Sequence, residues 1–172
     1  ALDIETCVAP DNAHRIVSLG VAVCRDGGIR QRYEWLVQPG CPVDGVTAGI
    51  HGLTDRHLAD EPTLDGILPE LRRLLDPRPG ETLVLAAHHA AFDLGWLRAE
   101  VERVGEPPLT DLPVLDTCGP LVRLAGLSLA RPSLAHLLAA LDLANERPHA
   151  ALADATAAAE AAIALLVRAD GL

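Results

Sequence analysis

Arg15-Ile16-Val17-Ser18-Leu19-Gly20-Val21-Ala22-Val23-Cys24 is a β-branched, apolar run, closed by Asp26-Gly27-Gly28 and followed over residues 30–37 by an alternating segment. Runs of this kind bounded by turn residues read as strands, and an Asp-Gly pair between two of them reads as a hairpin turn. Ahead of the hairpin, residues 1–5 read as the tail of a further strand. Behind it, residues 82–87 form a continuous apolar run of strand length, the pattern of a strand buried on both faces, and Val114-Leu115-Asp116 reads as one short strand more. The period then changes. Leu64, Ile67, Leu68, Leu71, Leu74 and Leu75 recur at helical spacing, residues 92–104 repeat that pattern, Ser133 caps a helix running to Leu141, and residues 151–168 form an alanine-rich helix. A hairpin first and strand–helix alternation afterwards predict an α/β fold, with a mixed sheet flanked by helices.

The chain has 172 residues, with 14 basic side chains, all arginine, against 24 acidic ones, for a net charge of −10. Its length suits a single domain over residues 1–172, and 49% hydrophobic against 22% charged residues excludes intrinsic disorder. An acidic chain is a poor candidate for coating nucleic acid through bulk electrostatics, so a phosphate substrate would need a cation other than the protein's own. Neither a charged-then-apolar leader nor an apolar run of membrane-spanning length is found, so no membrane association is expected. Cys7, Cys24, Cys41 and Cys118 show neither a C-x-x-C pair nor zinc-like spacing with histidine. Reduced thiols and a cytoplasmic location are therefore expected. The absence of methionine reads as an N-terminus that is trimmed or only partly present.

Three clusters could carry chemistry. Asp3 and Glu5 lie two apart on a strand, so both carboxylates leave the same face. Like charges that close are unfavourable unless a cation lies between them. His88-His89-Ala90-Ala91-Phe92-Asp93 follows the buried strand and opens a helix, at the carboxyl end of a strand where ligand sites form in α/β sheets. His149 precedes a helix whose first turn holds Asp154, and histidine is the residue type that titrates near neutral pH. Each cluster alone has an ordinary explanation: solvated acids, helix-dipole complements and loop histidines. Together they offer four carboxylates and a histidine at one sheet edge. Oxygen-only ligands suit Mg²⁺ or Mn²⁺, and two such ions roughly 3.5–4 Å apart would serve phosphodiester hydrolysis.

The order Asp3-Ile4-Glu5-Thr6, His88-x-Ala90-x-Phe92-Asp93, His149-x-x-x-x-Asp154 resembles the three motifs of the DEDDh (DnaQ-like) 3′→5′ exonucleases, whose best-known member is the proofreading epsilon subunit of bacterial DNA polymerase III. Residues 49–54, Leu115-Asp116-Thr117 and Ser133-Leu134 resemble supporting segments of the same family. The resemblance implies a ribonuclease H-like, mixed five-stranded sheet and two bound Mg²⁺ or Mn²⁺ ions. Asp3, Glu5, Asp93 and Asp154 would hold the metal and His149 would act as general base. Ile4, Thr6, Cys7, His51, His89 and Phe92 would contact the terminal nucleotide. The implied substrate is a single-stranded 3′ end of DNA or RNA, the product a nucleoside 5′-monophosphate, and a DNA polymerase an implied partner. His89 stands where the family usually has Asn, and Thr6-Cys7-Val8 where its turn is commonly Thr-Thr-Gly. Those departures motivate a rival reading, a catalytically weak binding or scaffold module. A metal-dependent phosphoesterase for small nucleotides is the third. With aromatics at 2% of the chain, a long base-stacking channel is not expected, and Arg147 is a candidate phosphate contact.

Overall fold

The computed structural model describes residues 1–130 and 132–170; Arg131, Gly171 and Leu172 of the 1–172 domain lie outside the described residues. In chain order the elements are β1 (Leu2–Val8), β2 (His14–Arg25), β3 (Gly28–Leu36), α1 (Gly45–His51), α2 (Asp55–Leu58), α3 (Leu64–Leu75), β4 (Leu85–Ala87), α4 (Ala90–Arg103), β5 (Val114–Asp116), α5 (Leu121–Leu124), α6 (Leu134–Ala140) and α7 (Ala151–Asp170). The β2–β3 hairpin turns at Asp26 and Gly27, both with positive φ (52° and 71°). That left-handed pair matches the twist of antiparallel strands.

The five expected strands are present, but in two hydrogen-bonded sets rather than one continuous five-stranded ladder. β1, β2 and β3 form an antiparallel sheet, and β4 and β5 a parallel pair. β4 packs beside β1, yet the Ile4 N–H donates to Asp93 Oδ1 (3.1 Å) instead of to a strand carbonyl. β4 is also shorter than the apolar run from 82 to 87 suggests. Its partner strand is preceded by Pro113, whose carbonyl accepts from Leu85 N–H but which has no N–H to extend the ladder, and Val84 is left exposed. Thr6-Cys7-Val8 is no turn. β1 continues through it, with a register shift between Glu5 and Thr6, and such an irregularity re-aims side chains beside it.

The two faces of the antiparallel sheet differ in purpose. Leu2 and Ile4 of β1 and Leu19 and Val21 of β2 face the core with Leu64, Ile67, Leu68 and Leu71 of α3 and Leu97 and Val101 of α4. Asp3 and Glu5, opposite Gly20 and Ser18, point the other way, toward α7, which packs across β2, β1 and β3. α7 buries alanines such as Ala151, Ala155, Ala158 and Ala162, small side chains that let a helix backbone come close to the sheet. The approach is tightest at Gly20, where an added Cβ would lie 2.4 Å from the Ala151 carbonyl and the Leu152 nitrogen. A second cluster, with Leu121, Val122, Leu137, Leu138 and Leu165, joins α5 and α6 to α7. Among the described residues, no helix is long and apolar enough to cross a membrane.

Gly20→Ala must therefore push the start of α7, which carries Asp154, off the sheet. The expected loss is about 3 kcal/mol, the upper range for overpacking, read as a lower denaturation midpoint at unchanged slope.

Candidate active site

β1, α4 and α7 each deliver acid to one end of the sheet. Asp93, in the first turn of α4, is 3% exposed, and its bond from Ile4 N–H docks α4 onto β1. Asp154, in the first turn of α7, accepts from the Asn145 amide and from the His149 N–H (3.0 Å). Glu5, His149 and Asp154 bring potential ligand atoms within 4.8 Å of one another. Asp3 completes the cluster electrostatically. Burial, then the charges of Asp93, Asp154 and Glu5, push its carboxyl up to about 9. Glu5 is raised to about 7 by burial and by Asp154 and Asp93. Asp93 is also raised to about 7, chiefly by burial. Burial raises Asp154 as well, against the lowering effect of its two hydrogen bonds.

Among the described residues none of these four acids pairs with an arginine. Glu100 shows the contrast. As buried as Asp93, at 2% exposure, it lies against Arg103 (2.5 Å) and Arg15 (3.7 Å). Buried carboxylates without such a partner fit a hard divalent cation, and an all-oxygen donor set with one adjacent imidazole suits Mg²⁺ or Mn²⁺.

The remaining expected residues divide. His51 ends α1, where its Nδ1 accepts from Leu53 N–H (3.1 Å). Nε2 is then the protonated nitrogen, and it is buried without a hydrogen-bond partner among the described residues. Thr6 is buried, with Oγ1 2.8 Å from His14 Nδ1. Ile4 and Cys7 are buried too, so their side chains face the interior and the Ile4 amide is already engaged. Phe92 is 41% exposed and edge-on to His14, which stacks on Trp96 at 4.5 Å. His89 is exposed and left-handed (φ 67°) just before α4, a conformation in which Asn is favoured among non-glycine residues. His88 is structural, both ring nitrogens being bonded, to Thr117 Oγ1 (2.9 Å) and the Pro132 carbonyl (3.0 Å). The Arg147 side chain is exposed and makes no ion pair among the described residues.

Two supporting residues escape sequence reasoning. Asp116 accepts from the His89, Ala90 and Cys118 amides (2.9, 3.2 and 2.8 Å), fixing the start of α4. Asn145 donates to Asp154 and accepts from Arg147 N–H (3.1 Å), bracing the loop that carries His149. The Leu115-Asp116-Thr117 segment could have flagged the first; nothing in the local pattern marks the second.

The sequence model of the exonuclease (RNase T) family matches residues 1–162. The chain belongs to this exonuclease family. Curated relatives include the PolC-type DNA polymerase III of Clostridium perfringens, 28% identical over 158 residues (92% of this chain, 10% of the relative). That of Streptococcus pyogenes is 29% identical over 115 residues, 67% of this chain and 7% of the relative. The chain thus spans about a tenth or less of the relatives it matches. Among solved structures, the nuclease domain of 3′hExo, a DEDDh family member bound to rAMP, superimposes with a TM-score of 0.82 at 16% identity, covering 96% of this exonuclease and 90% of that chain. Exonuclease X in complex with 5′-overhanging duplex DNA gives a TM-score of 0.69 at 22% identity, covering 96% and 89%. These likenesses share the α/β fold.

The raised carboxyl groups set the pH response of the metal-free exonuclease. Neutral Asp3, Glu5 and Asp93 favour the fold, so their contribution is complete below the unfolded value near 4 and is lost as pH rises through about 7 to 9. In EDTA the melting temperature should fall from pH 5 to pH 9, and Asp3→Asn should flatten that slope. Added Mg²⁺ or Mn²⁺ should raise the wild-type melting temperature more at pH 8 than at pH 5; equal shifts would contradict the assignment.

Proposed function

We propose that this exonuclease hydrolyses phosphodiester bonds at the 3′ end of single-stranded DNA or RNA and releases nucleoside 5′-monophosphates. The observation that carries the reading is the cluster of one buried and three half-buried acids, none paired with an arginine among the described residues, with His149 within ligand reach of Glu5 and Asp154. Asp3, Glu5, Asp93 and Asp154 would hold two Mg²⁺ or Mn²⁺ ions. When bound, these supply Lewis-acid polarisation of the phosphate and a water of lowered pKa.

The chain's own groups do the rest. His149 takes the proton of the attacking water as its oxygen bonds to phosphorus, and the bond from phosphorus to the 3′ oxygen of the preceding nucleotide breaks. The His149 backbone amide, held by Asp154 at 3.0 Å, keeps the imidazole on the cluster side of its loop. The exposed Phe92 ring supplies a stacking surface for the base of the terminal nucleotide, and His51, half-buried with its Nε2 inside, would contact that nucleotide through the rest of its ring. Thr6 and His89 would also contact the terminal nucleotide, and the exposed Arg147 would offer a phosphate contact. Ile4 and Cys7 contribute through backbone groups only, as their side chains are buried. The PolC-type names of the relatives support a DNA polymerase as the partner, and residues 1–172 as a single exonuclease domain.

A 3′-labelled and a 5′-labelled oligonucleotide, each with Mg²⁺, Mn²⁺ or EDTA, test this. Metal-dependent mononucleotide release from the 3′ end is expected, abolished by Asp3→Ala and reduced at least ~10²-fold by His149→Ala, the scale of a lost general base. Binding of both oligonucleotides without cleavage would establish the scaffold reading instead. His89→Asn, which suits the left-handed backbone, should hold the melting temperature and alter the DNA-to-RNA rate ratio if the imidazole meets the terminal sugar.

A further inference from the structure

Outside the acidic cluster, two thiols lie in contact. Cys7 on β1 is fully buried, and its Sγ lies 3.9 Å from Sγ of Cys41, in the loop between β3 and α1. Cys41 is partly exposed. Both belong to a small apolar cluster with Val17, Val43, Leu53 and Leu58, which closes the seam between β1 and the segment holding α1 and α2. Cys24 is exposed near the far end of β2, and Cys118 follows β5, with its thiol on the Pro132 carbonyl.

We propose that Cys7 and Cys41 form an oxidisable dithiol, a modification site that a peroxide-class oxidant converts into an intrachain disulfide. Cys41, the accessible member, meets the oxidant first: its sulfur attacks the peroxide, the O–O bond breaks, and sulfenic acid and one water result. The Cys7 sulfur then displaces the hydroxyl of that sulfenic acid. The S–S bond forms as the S–O bond breaks, and a second water leaves. The two thiols together lose two electrons, which the peroxide takes up.

The contact makes this feasible. A disulfide needs its sulfurs about 2.05 Å apart, so the pair must close by roughly 2 Å. The segment from Val37 to Asp44 has no helix or strand and includes Gly40 with φ 74°, so it is the side of the pair able to move. Its end is anchored, because Asp44 accepts from Val8 N–H at 2.8 Å and caps α1. The bridge would therefore strap the strand carrying Asp3 and Glu5 to the helix ending in His51. It would close a loop with a sequence separation of 34 residues, which stabilises mainly by restricting the unfolded chain. None of this depends on the exonuclease reading.

The test exposes the full chain to hydrogen peroxide, alkylates the remaining thiols after unfolding, and maps the peptides by mass. The expected result is a linked Cys7–Cys41 pair within monomeric protein, reversed by dithiothreitol, with a melting temperature about 5–10 °C higher. Cys41→Ser should abolish both the link and the rise, while Cys24→Ser, which leaves the pair intact, should retain both. Cys7 and Cys41 recovered unlinked and alkylated while Cys24 alone is oxidised would overturn the proposal, as would links found only between chains.

Discussion

Asp3, Glu5, Asp93 and Asp154 repel one another at one end of the sheet, and burial strengthens the repulsion by removing the water that screens it. A folded chain tolerates this in two ways: protonation, or a cation. Burial and mutual charge push these carboxyl groups toward the protonated form, and with no arginine partner among the described residues a cation would relieve them. The architecture serves to hold that unfavourable arrangement. A hairpin and two helices pack an apolar core on one sheet face, leaving the other to carry β1's acids against α7. Gly20 lets α7 approach closely enough for Asp154 to join them.

Acidic side chains also do the bracing. Asp116 gathers two backbone amides at the start of α4 and that of Cys118 after β5, Asp93 takes the Ile4 amide, Asp154 takes that of His149, and Asp44 joins the end of β1 to α1 through Val8, Val46 and Thr47. Each carboxylate satisfies N–H groups that a helix start or a strand edge would otherwise leave unpaired. The net charge of −10 thus reflects in part amide capping and, in the proposed reading, cation binding. It does not signal indifference to phosphate. In the proposed reading an acidic protein would meet a phosphodiester through bound cations, and the scarcity of aromatics offers little stacking surface for a long strand.

Local patterning made most elements legible. The leucines of 64–75 are the helix α3 to the residue, Ser133 caps α6 as its hydroxyl accepts from His136 N–H, and the Asp-Gly turn closes the hairpin, because each follows from side chains a few residues apart. What failed was long-range. β4 kept three residues because its partner strand starts after a proline, and β1 ran through a segment that resembled a turn because β2 continued to pair with it. His88, for which an ordinary loop role was open, is held by Thr117 and Pro132, distant in sequence.

Strand and helix periods pointed to the α/β class, and the order and spacing of Asp3, Glu5, Asp93, His149 and Asp154 carried the resemblance that named the family and the residues to watch. Periodicity and short motifs depend on neighbours along the chain, and those are present in one dimension. Only the tertiary structure decided that, among the described residues, the four acids lack an arginine while Glu100 has two, that Asn145 braces Asp154 and Asp116 the start of α4, and that two cysteines touch. Charge compensation and contact depend on distance through space, which the packing of α4 and α7 on the sheet creates.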